Sequence, residues 1–209
     1  MEKEIKLIFC NESDFNRMKN ELSKEPEFHE IRMNAIYMDT LDDSLSNSGV
    51  AMRIRRENDN IVLTVKDNGS ASGGMHTRKE WNVQLDSEEI DFKKIYNSNI
   101  DTTDSVTEFF DIIELVRNKG LKEICRTEFV RLSAHVTDGE SVAEICLDRG
   151  KIISGEKSLP ILESEFELHS GKDGYIEELA RKYSEEYNLT PENVSKFARG
   201  LELYLSCNS

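Results

Sequence analysis

The residues of this chain that could do chemistry sit at alternating positions. MEKEIKL at the start sets Glu2, Glu4 and Lys6 on one side of an extended segment, and ESEFEL near the other end does the same with Glu163, Glu165 and Glu167. AEICLDRG adds Glu144 and Asp148; VAMRIRRE, NIVLTVKD and MHTRKEW supply Arg53 and Arg55, Lys66, and Arg78 with Glu80. Successive strand side chains point to opposite faces, so each polar set has an apolar set behind it, such as Ile5, Leu7 and Phe9, or Phe166 and Leu168. A face that merely meets water needs no sorting by sign. Here the acids gather toward the two ends of the chain and the bases in its middle. With the apolar faces packed outward and the charged faces curled inward, the interior becomes a tunnel with an acidic and a basic sector.

Carboxylates that face one another repel, so the acidic sector calls for a cation, and an all-oxygen donor set favours Mg²⁺ or Mn²⁺ over zinc. The basic residues Arg53, Arg55, Lys66, Arg78, Arg126 and Lys196 suit phosphate oxygens, the arginines as bidentate forks and the lysines as point charges. Together the sectors match a metal-bound polyphosphate, whose phosphoryl transfer depends mainly on positioning and charge stabilisation. Glu80 and Glu167 are the two candidates to orient an attacking water.

Positioning such groups requires strands, and the periodicity supplies them. The pattern predicts a strand over about 2–9, a helix over 13–24 and an extended stretch ending at Asp39. A hairpin follows around Asn58-Asp59-Asn60, then the loop NGSASGG and one strand through MHTRKEWNVQL. Residues 88–119 read as mainly helical. Four more strands follow, as KEICRTEFVRLSAHV, SVAEICLDRG, KIISGEK and PILESEFELHS. Two helices close the chain, the second started by Pro191. The expectation is a single α+β domain over 1–209, mainly antiparallel β, forming a closed eight- or nine-stranded barrel with peripheral helices.

Composition narrows the partners. A net charge of −14 over 209 residues disfavours nucleic acid and anionic membrane surfaces, so bound phosphate must meet a local basic cluster. The four cysteines lie far apart without a CxxC pair, which points to reduced thiols and a cytoplasmic setting, and no apolar run approaches a membrane span.

Taken in order, EKEIK (2–6), VAMRIR (50–55), LTVK (63–66), RKEW (78–81), AEICLDRG (143–150), ESEFEL (163–168) and SKFARGL (195–201) resemble the motifs of the CYTH superfamily, the triphosphate tunnel metalloenzymes. The resemblance spans essentially the whole chain and is strongest to the bacterial inorganic triphosphatase branch. It implies a β-tunnel that holds a small-molecule triphosphate and one or two divalent metals, in a monomer or homodimer. Carried over by motif, Glu2, Glu4, Glu163 and Glu165 are similar to the family's metal-side carboxylates, with Glu144 and Asp148 nearby. Lys6, Arg53, Arg55, Lys66 and Arg126 are similar to its phosphate-side residues, and Lys196 to a lysine that reaches substrate from a helix closing one tunnel end. The implied activity is hydrolysis of inorganic triphosphate to pyrophosphate and phosphate. The alternatives are an organic triphosphatase, an adenylyl cyclase of the same fold, or a non-catalytic polyphosphate-binding module. Two departures stand out: Asn82 replaces an acid often found after the RxE motif, and the usual basic pair near 126 is reduced to Arg126 with Glu128, leaving Lys122 or Arg131 to compensate.

Among the remaining residues, Trp81 falls on an apolar face and reads as core. His29, His76, His135 and His169 share no ligand spacing, although His76 shares the face of Arg78. Gly73-Gly74 reads as a connection between strands rather than a phosphate cradle.

Overall fold

The computed structural model describes residues 2–67 and 69–207, with the Glu2 side chain outside the described set. Its order is β1 (Glu2–Phe9), α1 (Glu12–Leu22), β2 (His29–Thr40), α2 (Ser44–Asn47), β3 (Ala51–Glu57), β4 (Asn60–Lys66), β5 (Ser70–Ser72), β6 (Met75–Arg78), β7 (Glu80–Leu85), α3 (Phe92–Tyr96) and α4 (Val106–Lys119). Then come β8 (Leu121–Thr137), β9 (Val142–Ser154), β10 (Lys157–Ser170), α5 (Gly174–Tyr187), β11 (Leu189–Pro191) and α6 (Lys196–Cys207). No described helix is long and apolar enough to cross a membrane.

One antiparallel sheet of eleven strands runs in the order β5-β6-β1-β10-β9-β8-β2-β3-β4-β7, with β11 added on β1. This is more strands than the eight or nine expected, and the hydrogen-bonded path has two ends, at β5 and at β7. The sheet is therefore a strongly curled, open path rather than a ladder bonded all the way round among the described residues. The chain itself spans the gap. The stretch expected as one strand, MHTRKEWNVQL, changes partner at Lys79: β6 pairs with β1, and β7 pairs with β4. Asp67 fixes that switch, donating its N–H to the Lys79 carbonyl at 3.2 Å and accepting the Lys79 N–H on Oδ1 at 3.0 Å.

The convex face carries two apolar clusters. Ile5, Leu7, Ile145, Leu147 and Phe166 pack against Phe15 and Met18 of α1 and Ile176 and Tyr183 of α5. Met52, Ile54, Leu63, Val65, Trp81 and Val83 pack against Ile95 of α3 and Phe109, Ile113 and Val116 of α4. Trp81 is fully buried and donates its indole N–H to the Ser105 carbonyl at 3.0 Å. Burial of these side chains is worth roughly 1.5–3 kcal/mol each and sends the opposite, polar set to the concave face.

Three expectations need correction. KIISGEK is not a separate strand: its first part completes β9, and the turn lies at Gly155-Glu156. Gly150 does not break β9 but lets β8 approach, since a Cβ there would stand 2.1 Å from the Glu128 carbonyl oxygen. Pro191 belongs to β11 and not to the start of α6. The 88–119 region forms two helices with Asp101 bridged to Asn82 between them. Gly73 and Gly74 make the β5–β6 hairpin turn, both at positive φ (59° and 85°), and the Gly74 carbonyl accepts the Lys6 N–H at 2.8 Å.

Candidate active site

The register decides which residues share the concave face. Glu4 stands beside Glu167, Lys6 beside Glu165, Asp148 beside Glu163 and Arg131, and Arg53 beside Tyr37 and Thr64. All of these except Asp148 and Glu163 line a cavity of about 310 Å³ built from β1, β2, β3, β4, β6, β7, β8, β9, β10 and α6.

Glu165 connects the cavity to a buried cluster, in which Asp148, Glu163 and Glu165 bring one oxygen each within 4.8 Å of the others. Lys196, projecting from the first turn of α6, places Nζ 2.9 Å from an oxygen of all three. Arg131 forks onto Asp148 at 2.8 and 2.7 Å and also reaches Glu165, while Arg199 holds Glu163 at 3.0 and 3.1 Å. Burial alone would raise the Glu165 carboxyl. Lys196, Arg131 and Lys6 outweigh it and hold the group well below the usual range. Burial likewise opposes the Lys196 charge, and the three carboxylates reverse that to a pKa well above the ordinary lysine value. The Lys196 ammonium thus occupies the centre of the triad, whose donors are all carboxylate oxygens, the type that a hard divalent ion takes.

Basic side chains line the cavity as well, Lys6 standing 3.4 Å from Glu165. Lys6, Arg53, Arg55, Lys66 and Arg78 all line the cavity. Arg78 donates to Glu4 at 2.8 Å, Lys66 lies 2.5 Å from Glu80, and Arg55 lies 2.5 Å from Glu57. Arg53 donates to the Tyr37 hydroxyl at 3.0 Å. Burial and the neighbouring Arg53 press the Arg55 guanidinium down to about 10, and its Nε is buried with no hydrogen-bond partner. An anion between these guanidinium groups would relieve both conditions.

Glu4 shows the same balance as the triad: burial raises it, Glu165 adds to that, and Lys6, Lys66 and Arg78 bring it down to about 2. Glu167 goes the other way, with its pKa raised by burial first and then by Glu4 and Glu80. Glu80 accepts from Asn82 at 2.9 Å, and Asn82 also accepts from Thr64 at 2.8 Å, so the position that departs from an acid serves to orient its neighbours.

Two assignments move. Arg126 is not in the cavity: its side chain is 52% exposed and forks onto Glu123 at 2.7 Å. On β8 the odd positions face inward, so Arg131 takes the inner place. Lys122 also points away, to Asp43 at 2.7 Å. Glu144 lines the cavity but stands apart from the triad, accepting from Ser133 and lying 3.5 Å from His169. Glu2 pairs its backbone with Arg78, and its side chain lies outside the described residues. His76 is buried and engages the Glu192 carbonyl at 2.9 Å, holding the segment that leads into α6.

Sequence reasoning missed that part of the concave face is apolar. Met33, Tyr37, Phe129 and Phe197 form one wall, with Phe197 stacked on Tyr37 at 5.6 Å. Phe197 seats α6 inside the curl, and that seating delivers Lys196 to the triad. Arg199, three residues on, was equally unmarked.

The chain matches the CYTH domain over residues 1–201. It belongs to the CYTH family. An inorganic triphosphatase from Haemophilus influenzae is 30% identical over 174 residues, covering 83% of this chain and 46% of that protein. The CYTH domain described here thus spans about half the length of that curated relative. Among solved structures, a Hippeastrum protein named for adenylyl cyclase and described as having a dominant triphosphatase activity superimposes with a TM-score of 0.66 at 19% identity, over 99% of this chain and 96% of its own. The PH1819 protein of Pyrococcus horikoshii gives a TM-score of 0.57 at 21% identity, over 96% and 99%. At these identities the two structures establish the CYTH tunnel fold.

Proposed function

We propose that this chain hydrolyses inorganic triphosphate to pyrophosphate and phosphate with Mg²⁺ or Mn²⁺. The observation that carries the proposal is one cavity lined both by Lys6, Arg53, Arg55, Lys66 and Arg78 and by Glu4, Glu165 and Glu167, with Glu165 in turn part of a buried carboxylate cluster with Asp148 and Glu163. Pure anion binding gains nothing from those acids, whereas hydrolysis of a metal-bound polyphosphate uses both sets.

A divalent ion at the triad supplies charge neutralisation of the phosphate oxygens and lowers the pKa of an attacking water. The protein does the rest. The basic residues fix the triphosphate and stabilise negative charge on the pyrophosphate as it leaves. Water oxygen bonds to the terminal phosphorus, the bridging P–O bond breaks, and pyrophosphate departs on that bridging oxygen. Of the two candidate glutamates, Glu80 is engaged by Lys66 and Asn82, whereas Glu167 has a raised pKa and is the better proton acceptor near neutral pH. Asp148, Glu163 and Glu165 would hold the ion in competition with Lys196, whose ammonium would then serve the phosphates from the cavity it lines.

The apolar wall of Met33, Tyr37, Phe129 and Phe197 favours a second reading, in which the tunnel accepts an organic triphosphate such as a nucleoside or thiamine triphosphate. A phosphate-release panel across inorganic, nucleoside and thiamine triphosphates with Mg²⁺ or Mn²⁺ separates the two. The first reading predicts the highest kcat/KM for inorganic triphosphate, and higher values for any organic triphosphate would replace it with the second.

A further inference from the structure

His135, Glu144 and His169 come from three neighbouring strands, β8, β9 and β10, and present one ligand atom each within 4.8 Å. His135 and Glu144 are cross-strand partners, and Glu144 is in turn paired with Glu167. The β9–β10 register slips between Leu168 and Ser170, and a bulge of this kind re-aims the residue it contains, here His169. The two imidazoles meet edge to face at 5.1 Å. His169 Nε2 lies 3.5 Å from Glu144 Oε2. Two donors each about 2.0–2.1 Å from a tetrahedral ion stand roughly 3.4 Å apart, so this pair already has the spacing of a coordination sphere.

The surrounding groups fit as well. Glu27 Oε2 lies 3.2 Å from His135 Nδ1 without hydrogen-bonding it, so that buried ring nitrogen has no hydrogen-bond partner. Ser133 Oγ donates to Oε1 of Glu144, leaving Oε2 for an ion. A hydrogen bond behind a ligating carboxylate is an outer partner that metal sites use. Both histidines are about a third exposed, so an ion can enter and the rings can turn.

We propose that His135, Glu144 and His169 bind a borderline transition-metal ion of the Zn²⁺ or Co²⁺ class at the edge of the cavity, separately from the all-oxygen triad. Imidazole donors select such ions, and Mg²⁺ does not compete for them. The site therefore fills in the presence of the Mg²⁺ that the triad would take. Because Glu144 lines the cavity beside Glu167, an ion here adds positive charge next to the group proposed to accept the proton of water.

The test uses the untagged 209-residue chain in saturating Mg²⁺, titrated with Co²⁺ and followed by visible absorption, with Zn²⁺ as competitor. A d–d band of a four- or five-coordinate ion should grow to saturation and be removed by Zn²⁺. His135→Ala and His169→Ala should each abolish the band and weaken Zn²⁺ by more than the ~10–100-fold that loss of an outer partner costs, which Ser133→Ala should show instead. In the unaltered chain, Zn²⁺ should protect His135 and His169 from diethyl pyrocarbonate while leaving the reactivity of His29 unchanged. A band that persists in the two histidine variants, a band that Mg²⁺ abolishes, or histidines that Zn²⁺ leaves unprotected would each overturn the proposal.

Discussion

At the scale of residues, the cavity is a set of charges whose neighbours decide their states. Replacing Lys196 by Met strips the triad of the one cation that touches all three carboxylates. Breaking a buried pair in this way costs about 3–5 kcal/mol, so Lys196→Met should unfold at a lower temperature without metal, and Mg²⁺ should raise its Tm by more than it raises the wild type. An equal Mg²⁺ shift in both would remove the triad as the ion's site. Glu167→Gln should act in the opposite sense. A carboxyl with a raised folded pKa disfavours the fold once it ionises, so its stabilising protonated form is lost as pH rises above 4.5 and the variant should melt higher than wild type at neutral pH. Turnover should fall at the same time, with the acidic limb of the pH profile lost; unchanged turnover would take Glu167 out of the reaction. Arg53→Ala removes a charge-assisted contact worth about 1.5–3 kcal/mol and should raise KM for triphosphate roughly 10–100-fold in a steady-state assay. Much of this set is legible from alternation alone, because a single parity on each strand puts Glu4, Arg53, Lys66, Asp148 and Glu165 on one face. Arg126 misleads because β8 is 17 residues long and holds arginines of both parities, and only the pairing with β9 shows that the odd ones face inward.

At the scale of elements, the decisive one is α6. Its apolar stripe reads in sequence like that of any peripheral helix, yet Phe197 stacks on Tyr37 inside the curl and Gly200 sits against β8. The concave seat is invisible to periodicity because Met33, Tyr37 and Phe129 alternate with their neighbours as the charged residues do, and pattern does not say which face curls inward. Phe197→Ala should cost about 3–5 kcal/mol in chemical denaturation and, by loosening Lys196, lower turnover more than a surface substitution of equal cost. At Gly200 two effects compete. Alanine gains about 1 kcal/mol of helix propensity, but its Cβ would stand 2.2 Å from Cys125 Sγ, and overpacking costs about 1–3 kcal/mol. Gly200→Ala should therefore destabilise, and a higher denaturation midpoint would show that α6 does not pack there.

At the scale of the whole molecule, the sheet supplies a shell whose apolar convex face is covered by helices and whose charges are held inside, an arrangement to which Glu4, Glu144 and Glu165 contribute only while they stay ionised. Glu4 and Glu144 titrate at about 2 in the folded chain and Glu165 well below 4.5, against 4.5 for the free side chain. Below pH 4.5 the unfolded chain takes up protons that these three groups refuse in the folded chain, so their contribution should be complete above that value and fall steadily as pH drops toward 2. The fold class and the family motifs were readable throughout. The openness of the ladder was not, because the switch of partners at Lys79 depends on backbone bonds to Asp67 that leave no periodic trace. The central claim is that one cavity both holds and cleaves triphosphate. Its most direct test is to quantify orthophosphate and pyrophosphate released from inorganic triphosphate with Mg²⁺ by wild type and by Glu165→Gln. The account predicts equal amounts of the two products from wild type and a rate lower by roughly two to three orders of magnitude in the variant. Undiminished product release by Glu165→Gln, or none by wild type, would contradict it.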